Sequence, residues 1–153
     1  MIQRIQTAFL IIATILLVFM VFMPVASVVR PTDEVVFELG FKGLESADGV
    51  KEPFTSYPMS ILVLICLAIC ITTIFLFKRR MLQIRLCVVN IVLLLGLQGL
   101  VYYFAKAAQS SIDGNLSFSL LFVFPLISAI LVFLALRAVA RDEALVRSLD
   151  RLR

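Results

Sequence analysis

The sequence predicts an all-α membrane protein: a bundle of four transmembrane helices with both termini in the cytoplasm and a small periplasmic β-element. Three observations support this prediction, namely a mean hydropathy of +1.10, four long apolar windows and an uneven distribution of Lys and Arg. Of the 153 residues, 62% are hydrophobic and only 16% are charged. This composition is too apolar for a soluble domain, so a lipid bilayer is the expected solvent.

The four apolar windows account for more than half of the chain. They cover about residues 5–29, 59–77, 82–104 and 119–136, and charged segments separate them. Crossing the hydrocarbon takes roughly 20 apolar residues, and a lone segment in lipid can pair its backbone groups only as a helix. Each window therefore predicts one transmembrane helix, and residues 1–153 form a single membrane domain. Pro24 and Pro125 fall inside or at the edge of a window, and we expect a kink at each.

The first window has an alternative interpretation as a secretory signal peptide. Arg4 would supply the charged n-region, and Val25-Ala26-Ser27 would supply the cleavage site. The apolar core, residues 8–23, is slightly longer than the core of a typical signal peptide. We therefore expect the segment to be retained as the first helix.

The basic residues predict the orientation, because Lys and Arg concentrate in cytoplasmic loops. Ten of the 14 basic residues lie near the N-terminus, around the link between the second and third windows, or in the tail: Arg4, Lys78, Arg79, Arg80, Arg85, Arg137, Arg141, Arg147, Arg151 and Arg153. Loop 30–58 and loop 105–118 hold the other four, together with seven of the ten acidic residues. We therefore expect cytoplasmic termini, periplasmic loops and a bacterial inner membrane.

The C-terminal tail, residues 137–153, is predicted to continue the fourth helix with two different faces. Its arginines cluster on one side and its leucines on another: Arg137, Arg141, Arg147 and Arg151 against Leu145, Leu149 and Leu152. One interpretation places this amphipathic tail at the cytoplasmic membrane surface, with the arginines on anionic headgroups. The others are a solvated helix with a Glu143–Arg147 pair, and a docking surface for a partner protein.

The first external loop predicts the β-element. Val35, Phe37, Leu39 and Phe41 alternate with Val36, Glu38, Gly40 and Lys42, which is the pattern of a half-buried strand. Gly40 or Gly43 would bend it into a hairpin. The second external loop has a turn at Asp113-Gly114 before Leu116 and Phe118. We expect a small β-element packed on the periplasmic end of the bundle, acting as a structural lid or as a binding surface.

Few polar side chains lie inside the windows. They contain no Asp, Glu or His, the residues that usually mark ion pathways and that small drug exporters need. Asn90 and Gln98 lie on roughly one side of the third helix, and Gly96 and Gly99 beside them would allow another helix to approach. We interpret this group as helix packing. A contact between copies of the chain and a substrate pocket are the alternatives.

The three cysteines, Cys66, Cys70 and Cys87, lie in the second and third windows. Four-helix membrane thiol oxidoreductases use a C-x-x-C pair near the surface, whereas Cys66 and Cys70 form C-x-x-x-C in apolar sequence. We expect packing residues rather than an enzyme. We also expect no cofactor or metal, because haem and zinc sites usually use His. The basic run at residues 78–80 is explained by orientation, so no nucleic-acid partner is expected.

The two ends of the chain carry a resemblance. The start "MIQRIQT" and the finish "RAVARDEALVRSLDRLR", together with a first helix ending near Pro24 and four spans, resemble an uncharacterised family of small four-helix membrane proteins from Bacteroidetes, known only as a domain of unknown function. The resemblance implies an inner-membrane location in a Gram-negative bacterium and supplies no activity, cofactor or catalytic residue. It also places the two ends at one membrane face, where an N-terminal residue can pair with an acid of the tail: Gln3, Arg4 or Gln6 with Asp142, Glu143 or Asp150.

Two functional hypotheses follow. The first is a non-enzymatic accessory or scaffold subunit of a membrane complex, which binds a protein partner or a second copy through its tail, its periplasmic loop or a face of the bundle. The second is a small transporter or lipid-handling protein with a pocket between helices near Asn90 and Gln98. An intramembrane thiol enzyme at Cys66 and Cys70 is the remaining alternative.

Overall fold

The computed structural model of the chain describes residues 3–30, 35–41, 43–46, 56–76, 79–112 and 114–150, without the side chains of residues 3, 4 and 145–150. Within these ranges the chain forms four long helices and four short strands. The helices are α1 (Gln3–Phe22), α2 (Tyr57–Phe75), α3 (Arg80–Ile112) and α4 (Phe124–Asp150); the strands are β1 (Ala26–Val29), β2 (Val36–Gly40), β3 (Gly43–Ser46) and β4 (Asn115–Phe118). A short 3-10 helix, Leu120–Val123, precedes α4.

The helices form an antiparallel bundle. Both α1 and α3 pack on α2 and, more extensively, on α4. The strands pair into one sheet at the end of the bundle where α1 and α3 finish, which we call the sheet end. The opposite end, where α1 begins and α4 finishes, is the terminal end. The two ends of the described chain therefore lie at the same end of the bundle.

The outward faces of the helices are apolar, unlike those of a soluble bundle. Large exposed side chains cover all four helices: Ile12, Phe19, Ile61, Leu64, Val92, Leu95, Ile130 and Phe133 are among them. The interior contains many small or polar residues, including Ala13, Cys66, Cys70, Cys87, Asn90, Ser128 and Ala135. All four helices are long and apolar enough to cross a membrane. This distribution matches a lipid solvent and indicates a multi-pass membrane protein.

The predicted first span, residues 5–29, is too long at its C-terminal end. Helix α1 ends at Phe22, and residues 26–29 form the strand β1. Proline cannot continue a helix because it lacks the N–H and clashes with the preceding turn, so Pro24 ends α1 rather than bending it. Pro125 is the second residue of α4, where a helix tolerates proline without a kink. Neither expected kink is therefore present.

Two helices are longer than the membrane requires. Helix α3 has 33 residues, about 50 Å at 1.5 Å per residue, against roughly 30 Å of hydrocarbon. The predicted span 82–104 covers only its middle, and its last two turns pack under the sheet through Ala105, Ala108 and Ile112. Helix α4 runs to Asp150 and so confirms that the tail continues the fourth helix.

The sheet confirms the predicted β-element and enlarges it. All pairs are antiparallel in the order β3-β2-β1-β4, with Gly40 opposite Gly43 at the turn between β2 and β3. Phe37 and Leu39 point into the core under the sheet while Val36 and Glu38 are exposed, as the alternation predicted. On the exposed face, the register places Glu45, Glu38, Ser27 and Ser117 in one row across the four strands.

Two glycines are required by the backbone of the sheet end. Gly43 has a φ of 129°, a conformation that other residues rarely adopt. At Gly114, before β4, a Cβ atom would lie 2.6 Å from both Val28 Cγ1 and the carbonyl oxygen of Val29. By contrast, a Cβ atom at Gly99 of α3 would meet no atom within 4 Å. The close approach between β1 and residue 114 therefore depends on the absence of a side chain.

We expect Gly114→Ala to lower the free energy of unfolding by about 1–3 kcal/mol, because the backbone of β1 must move to accommodate the methyl group. Gly99→Ala is the matched control and should leave stability unchanged within about 1 kcal/mol. Far-UV circular dichroism during unfolding in detergent measures both variants, since the chain has no Trp for fluorescence. Equal effects at the two positions would contradict the contact at Gly114.

Candidate functional site

The polar residues inside the bundle gather around one thiol. Asn90 of α3 donates a hydrogen bond from its side-chain amide to Cys70 Sγ of α2, at 2.9 Å, and Thr14 of α1 lies within hydrogen-bonding reach of the same sulfur. Cys66 and Cys87 are near neighbours of Cys70. We call these five residues the thiol cluster. It joins three helices in the buried interior of the bundle, so its hydrogen bonds stabilise the packing of the helices.

Three buried polar atoms of α3 and α4 lack hydrogen-bond partners. Within the part of the chain that the structure describes, Asn90 Oδ1, Gln98 Oε1 and Ser128 Oγ are buried and accept or donate no hydrogen bond. Asn90 is 1% exposed and points into the bundle, whereas Gln98 is half-buried. The predicted pair of polar residues is therefore divided between two environments, and only Asn90 belongs to the thiol cluster.

The three cysteines are enclosed by the packed helices. All three are free and buried, with exposed fractions of 0% for Cys66 and Cys70 and 1% for Cys87. Among the described residues, no group of three or more Cys, His, Asp or Glu side chains is placed to hold a metal ion. The three thiols are therefore shielded from solvent by the packed helices.

Gly96 and Gly99 lie on a different face from Asn90. Both are exposed on the outward side of α3, and among the described residues no atom beyond the adjacent backbone of α3 lies within 4 Å of where their Cβ atoms would be. None of the four described helices therefore uses them for a close approach. These glycines leave a helix surface without side chains on the outside of the described bundle.

A second polar cluster lies at the terminal end. Gln6 of α1 donates a hydrogen bond from Nε2 to Asp142 Oδ2 of α4, at 2.6 Å, and Arg80 donates to the backbone carbonyl of Asp142 at 3.5 Å. One of the pairs expected between the N-terminus and the tail is thus formed. Arg137 and Arg141 are exposed on α4. The side chain of Arg147 and the whole of Arg151 lie outside the described residues, as do the side chains of Leu145 and Leu149 and the whole of Leu152.

A groove lies at the sheet end, where α1 meets the hairpin of β2 and β3. It has a volume of about 610 Å³. One wall is the end of α1 with the residues after it, and the other is the hairpin: Val21, Phe22, Met23 and Pro24 face Glu38, Gly40, Phe41, Gly43, Glu45 and Ser46. We call it the sheet-end groove. Hydrogen bonds from Ser56 and Ser60 at the start of α2 to the carbonyl of Phe41 fix the hairpin turn beside the bundle.

Comparison with known families identifies the chain. Residues 2–152 match the family described as Domain of unknown function (DUF4293). The chain belongs to the DUF4293 family. This match covers nearly the whole chain and confirms the resemblance to a family of unknown function. No curated protein significantly matches this DUF4293 member.

The sequence interpretation missed two features of the DUF4293 chain. The sheet-end groove depends on β1 and on the end of α1 at Phe22, both of which the overlong first span concealed. The signal was present in Pro24, followed by the β-branched Val25, Val28 and Val29, which favour a strand. Thr14 was also missed, because a Thr in an apolar helix can donate to its own helix backbone and so does not indicate a contact with another helix.

We expect the three cysteines of the folded protein to resist alkylation. In native membranes N-ethylmaleimide should modify none of them, because the thiols are buried between the helices and the reactive form is the thiolate. After denaturation in SDS all three should react, as counted by intact-protein mass spectrometry. Ser110→Cys, at an exposed position near the end of α3, is the positive control and should add one label before denaturation. Full labelling of Cys66 or Cys70 in the folded protein would instead support thiol chemistry.

Proposed function

We propose that this DUF4293 protein is a non-enzymatic integral protein of the inner membrane of a Gram-negative bacterium. In this proposal it serves as an accessory or scaffold subunit of a membrane complex, and it binds its partner helix through the outward face of α3. A source in Bacteroidetes, which the sequence resemblance implies, remains part of the same prediction. The apolar outer surface of the four helices supports the membrane part of the proposal.

The proposed orientation has the sheet end in the periplasm and the terminal end in the cytoplasm. The concentration of basic residues near the chain ends and the link between α2 and α3 supports it, because such residues favour the cytoplasmic side. The tyrosines fit one membrane boundary at the sheet end, with Arg80 at the level of the other. All three in the chain, Tyr57, Tyr102 and Tyr103, are exposed near the sheet end, about 33 Å along α3 from Arg80 for the latter two.

One observation carries the scaffold hypothesis. Gly96 and Gly99 form an outward-facing surface without side chains on α3, in the middle of an apolar helix face where Val92 and Leu95 are also exposed. In a bilayer, helices associate where small residues let the backbones approach closely. A glycine surface that none of the described helices covers is suited to a helix of another molecule.

The transporter or lipid-handling hypothesis remains the second candidate. The unpaired oxygens of Asn90 and Gln98 favour it, since a polar ligand could supply the missing hydrogen bonds. The burial of Asn90 and its hydrogen bond to Cys70 favour a structural role instead. The scaffold hypothesis therefore accounts better for the arrangement of α3.

Site-specific photocrosslinking tests the proposed surface. A photoreactive residue at Leu95, one turn before Gly99, should give one discrete protein adduct in native membranes. The same residue at Ile130, equally exposed on α4, is the matched control and should give only lipid adducts. Gly96→Leu together with Gly99→Leu should abolish the adduct at Leu95, because the side chains prevent the close approach.

The mass of the adduct distinguishes a second copy of the chain from another protein, and either identity supports a scaffold surface on α3. Lipid adducts alone at Leu95, or an adduct that survives both leucine substitutions, would contradict the proposal. Circular dichroism of the double variant confirms that any loss of the adduct does not reflect unfolding.

A further inference from the structure

Two buried side-chain oxygens on neighbouring helices have no hydrogen-bond partner among the described residues. They are Gln98 Oε1 of α3 and Ser128 Oγ of α4, and the whole side chain of Ser128 is buried. A buried oxygen without a partner destabilises a fold, because it has lost the hydrogen bonds that water gives it in the unfolded chain. Such atoms therefore indicate where a further hydrogen-bond donor is held.

Both residues face the seam between α3 and α4. Arg80 of α3 donates to the backbone carbonyl of Asp142 of α4, so this contact marks the sides on which the two helices meet. Gln98 follows Arg80 by 18 residues, which is about five full turns, and therefore lies on the same side of α3. Ser128 precedes Asp142 by 14 residues, which is nearly four turns, and therefore lies on the side of α4 that faces α3.

The two side chains also converge in depth. Measured from the same contact, Gln98 lies about 27 Å along α3 and Ser128 about 21 Å along α4, so about 6 Å separates their levels. Side chains of a helix lean toward its N-terminus. Because the two helices are antiparallel, Gln98 leans toward the terminal end and Ser128 leans toward the sheet end. The two oxygens therefore approach each other, yet no direct hydrogen bond joins them.

The third unpaired oxygen, Asn90 Oδ1, does not belong to this pair. Asn90 lies about 15 Å along α3 from Arg80, which is about 6 Å closer to the terminal end than Ser128. Its side chain leans further toward that end, where its amide donates to Cys70. The antiparallel geometry that brings Gln98 and Ser128 together thus separates Asn90 from Ser128.

The chemistry of the pair selects the ligand. Both oxygens can accept hydrogen bonds, so a group that joins them must supply two donors. A water molecule has two O–H groups and is small enough for a site between packed helices, where buried waters bind otherwise unpaired polar groups. Ions such as Mg²⁺ and Ca²⁺ take about six or more oxygen ligands, which two neutral side chains do not supply.

We propose that a water molecule is bound in the seam between α3 and α4 and donates one hydrogen bond to Gln98 Oε1 and one to Ser128 Oγ. The bridge links the two helices in apolar surroundings, since Leu94 and Leu97 of α3 are fully buried beside it. It is independent of the glycine surface, because Gly96 and Gly99 are exposed on the outward side of α3.

Solid-state NMR of the full-length protein in hydrated bilayers tests the proposal. The chain has five glutamines, and a carbon-13 label in their side-chain amides gives one signal for each. Gln98→Met identifies the Gln98 signal by its loss. Magnetisation transferred from water protons should reach the Gln98 carbon of the unchanged protein and should no longer reach it in Ser128→Ala. Gln6, at the terminal end, is the control and should show the same transfer in both proteins.

Two spectra would overturn the proposal. Absence of transfer to Gln98 in the unchanged protein would show that the seam is dry. Transfer that persists in Ser128→Ala would show water that reaches Gln98 from the membrane surface without bridging the helices. Circular dichroism establishes that each variant is folded.

Unfolding equilibria in detergent provide a second measurement. Ser128→Ala should raise the ratio of unfolded to folded protein by about threefold, as the loss of an average interhelical hydrogen bond does. Adding Gln98→Met should raise the ratio little further, because either substitution already releases the bridge. Gln83→Met changes a buried glutamine about four turns earlier on α3 and is the matched control. Its effect should add to that of Ser128→Ala.

The sign of the Ser128→Ala effect is decisive. An unchanged or lower ratio would overturn the proposal, because removing a hydroxyl that has no partner does not destabilise a fold. Additive effects of Ser128→Ala and Gln98→Met would overturn it as well. Coupling between the two substitutions without any transfer from water would show a direct hydrogen bond in place of the bridge.

Discussion

The constraint on which the structure depends is the apolar outer surface of four helices, which requires a hydrocarbon solvent. Lipid offers no hydrogen-bond partners, so each spanning segment pairs its own backbone groups as a helix. The same constraint places polar side chains inside the bundle or at its ends. Asn90 and Thr14 meet Cys70 in the interior, while Gln6 and Asp142 meet at the terminal end. Contacts between helices then decide how the bundle packs, because burial from water contributes nothing between helices in lipid.

The hydrocarbon thickness also explains why the two ends of the molecule differ. Helix α3, at 33 residues, is longer than a membrane crossing requires, and its last turns at the sheet end support the strands through Ala105, Ala108 and Ile112. Helix α4 has 27 residues and continues into the arginine-rich tail at the terminal end. Helices α1 and α2 have the length of an ordinary membrane-spanning helix and do not extend beyond the bundle. The extra turns of α3 thus support the sheet, and those of α4 form the tail. The sheet-end groove lies beside the end of α1.

The sequence predicted those features that depend on hydropathy and period. Four apolar helices, the alternating strand around Phe37 and Leu39, and the continuation of the fourth helix into the tail are all present. The end of the first helix was wrong because Val25, Val28 and Val29 are as apolar as a membrane helix, so hydropathy alone continues past Pro24 into the strand that pairs with β2 and β4. A single sequence does not specify neighbours. It therefore could not predict which way Gly96 and Gly99 face, nor that Glu38 lies opposite Glu45.

Paired cysteine labelling tests the membrane arrangement most directly. Ser117→Cys lies on the exposed face of the sheet, and Ala144→Cys lies at an exposed position of α4 near the terminal end. A charged maleimide applied to spheroplasts should label Ser117→Cys at once and Ala144→Cys only after the membrane is broken. Labelling of Ala144→Cys before lysis would contradict the account, since it would place the arginine-rich end outside the cell or show that no sealed bilayer separates the two ends.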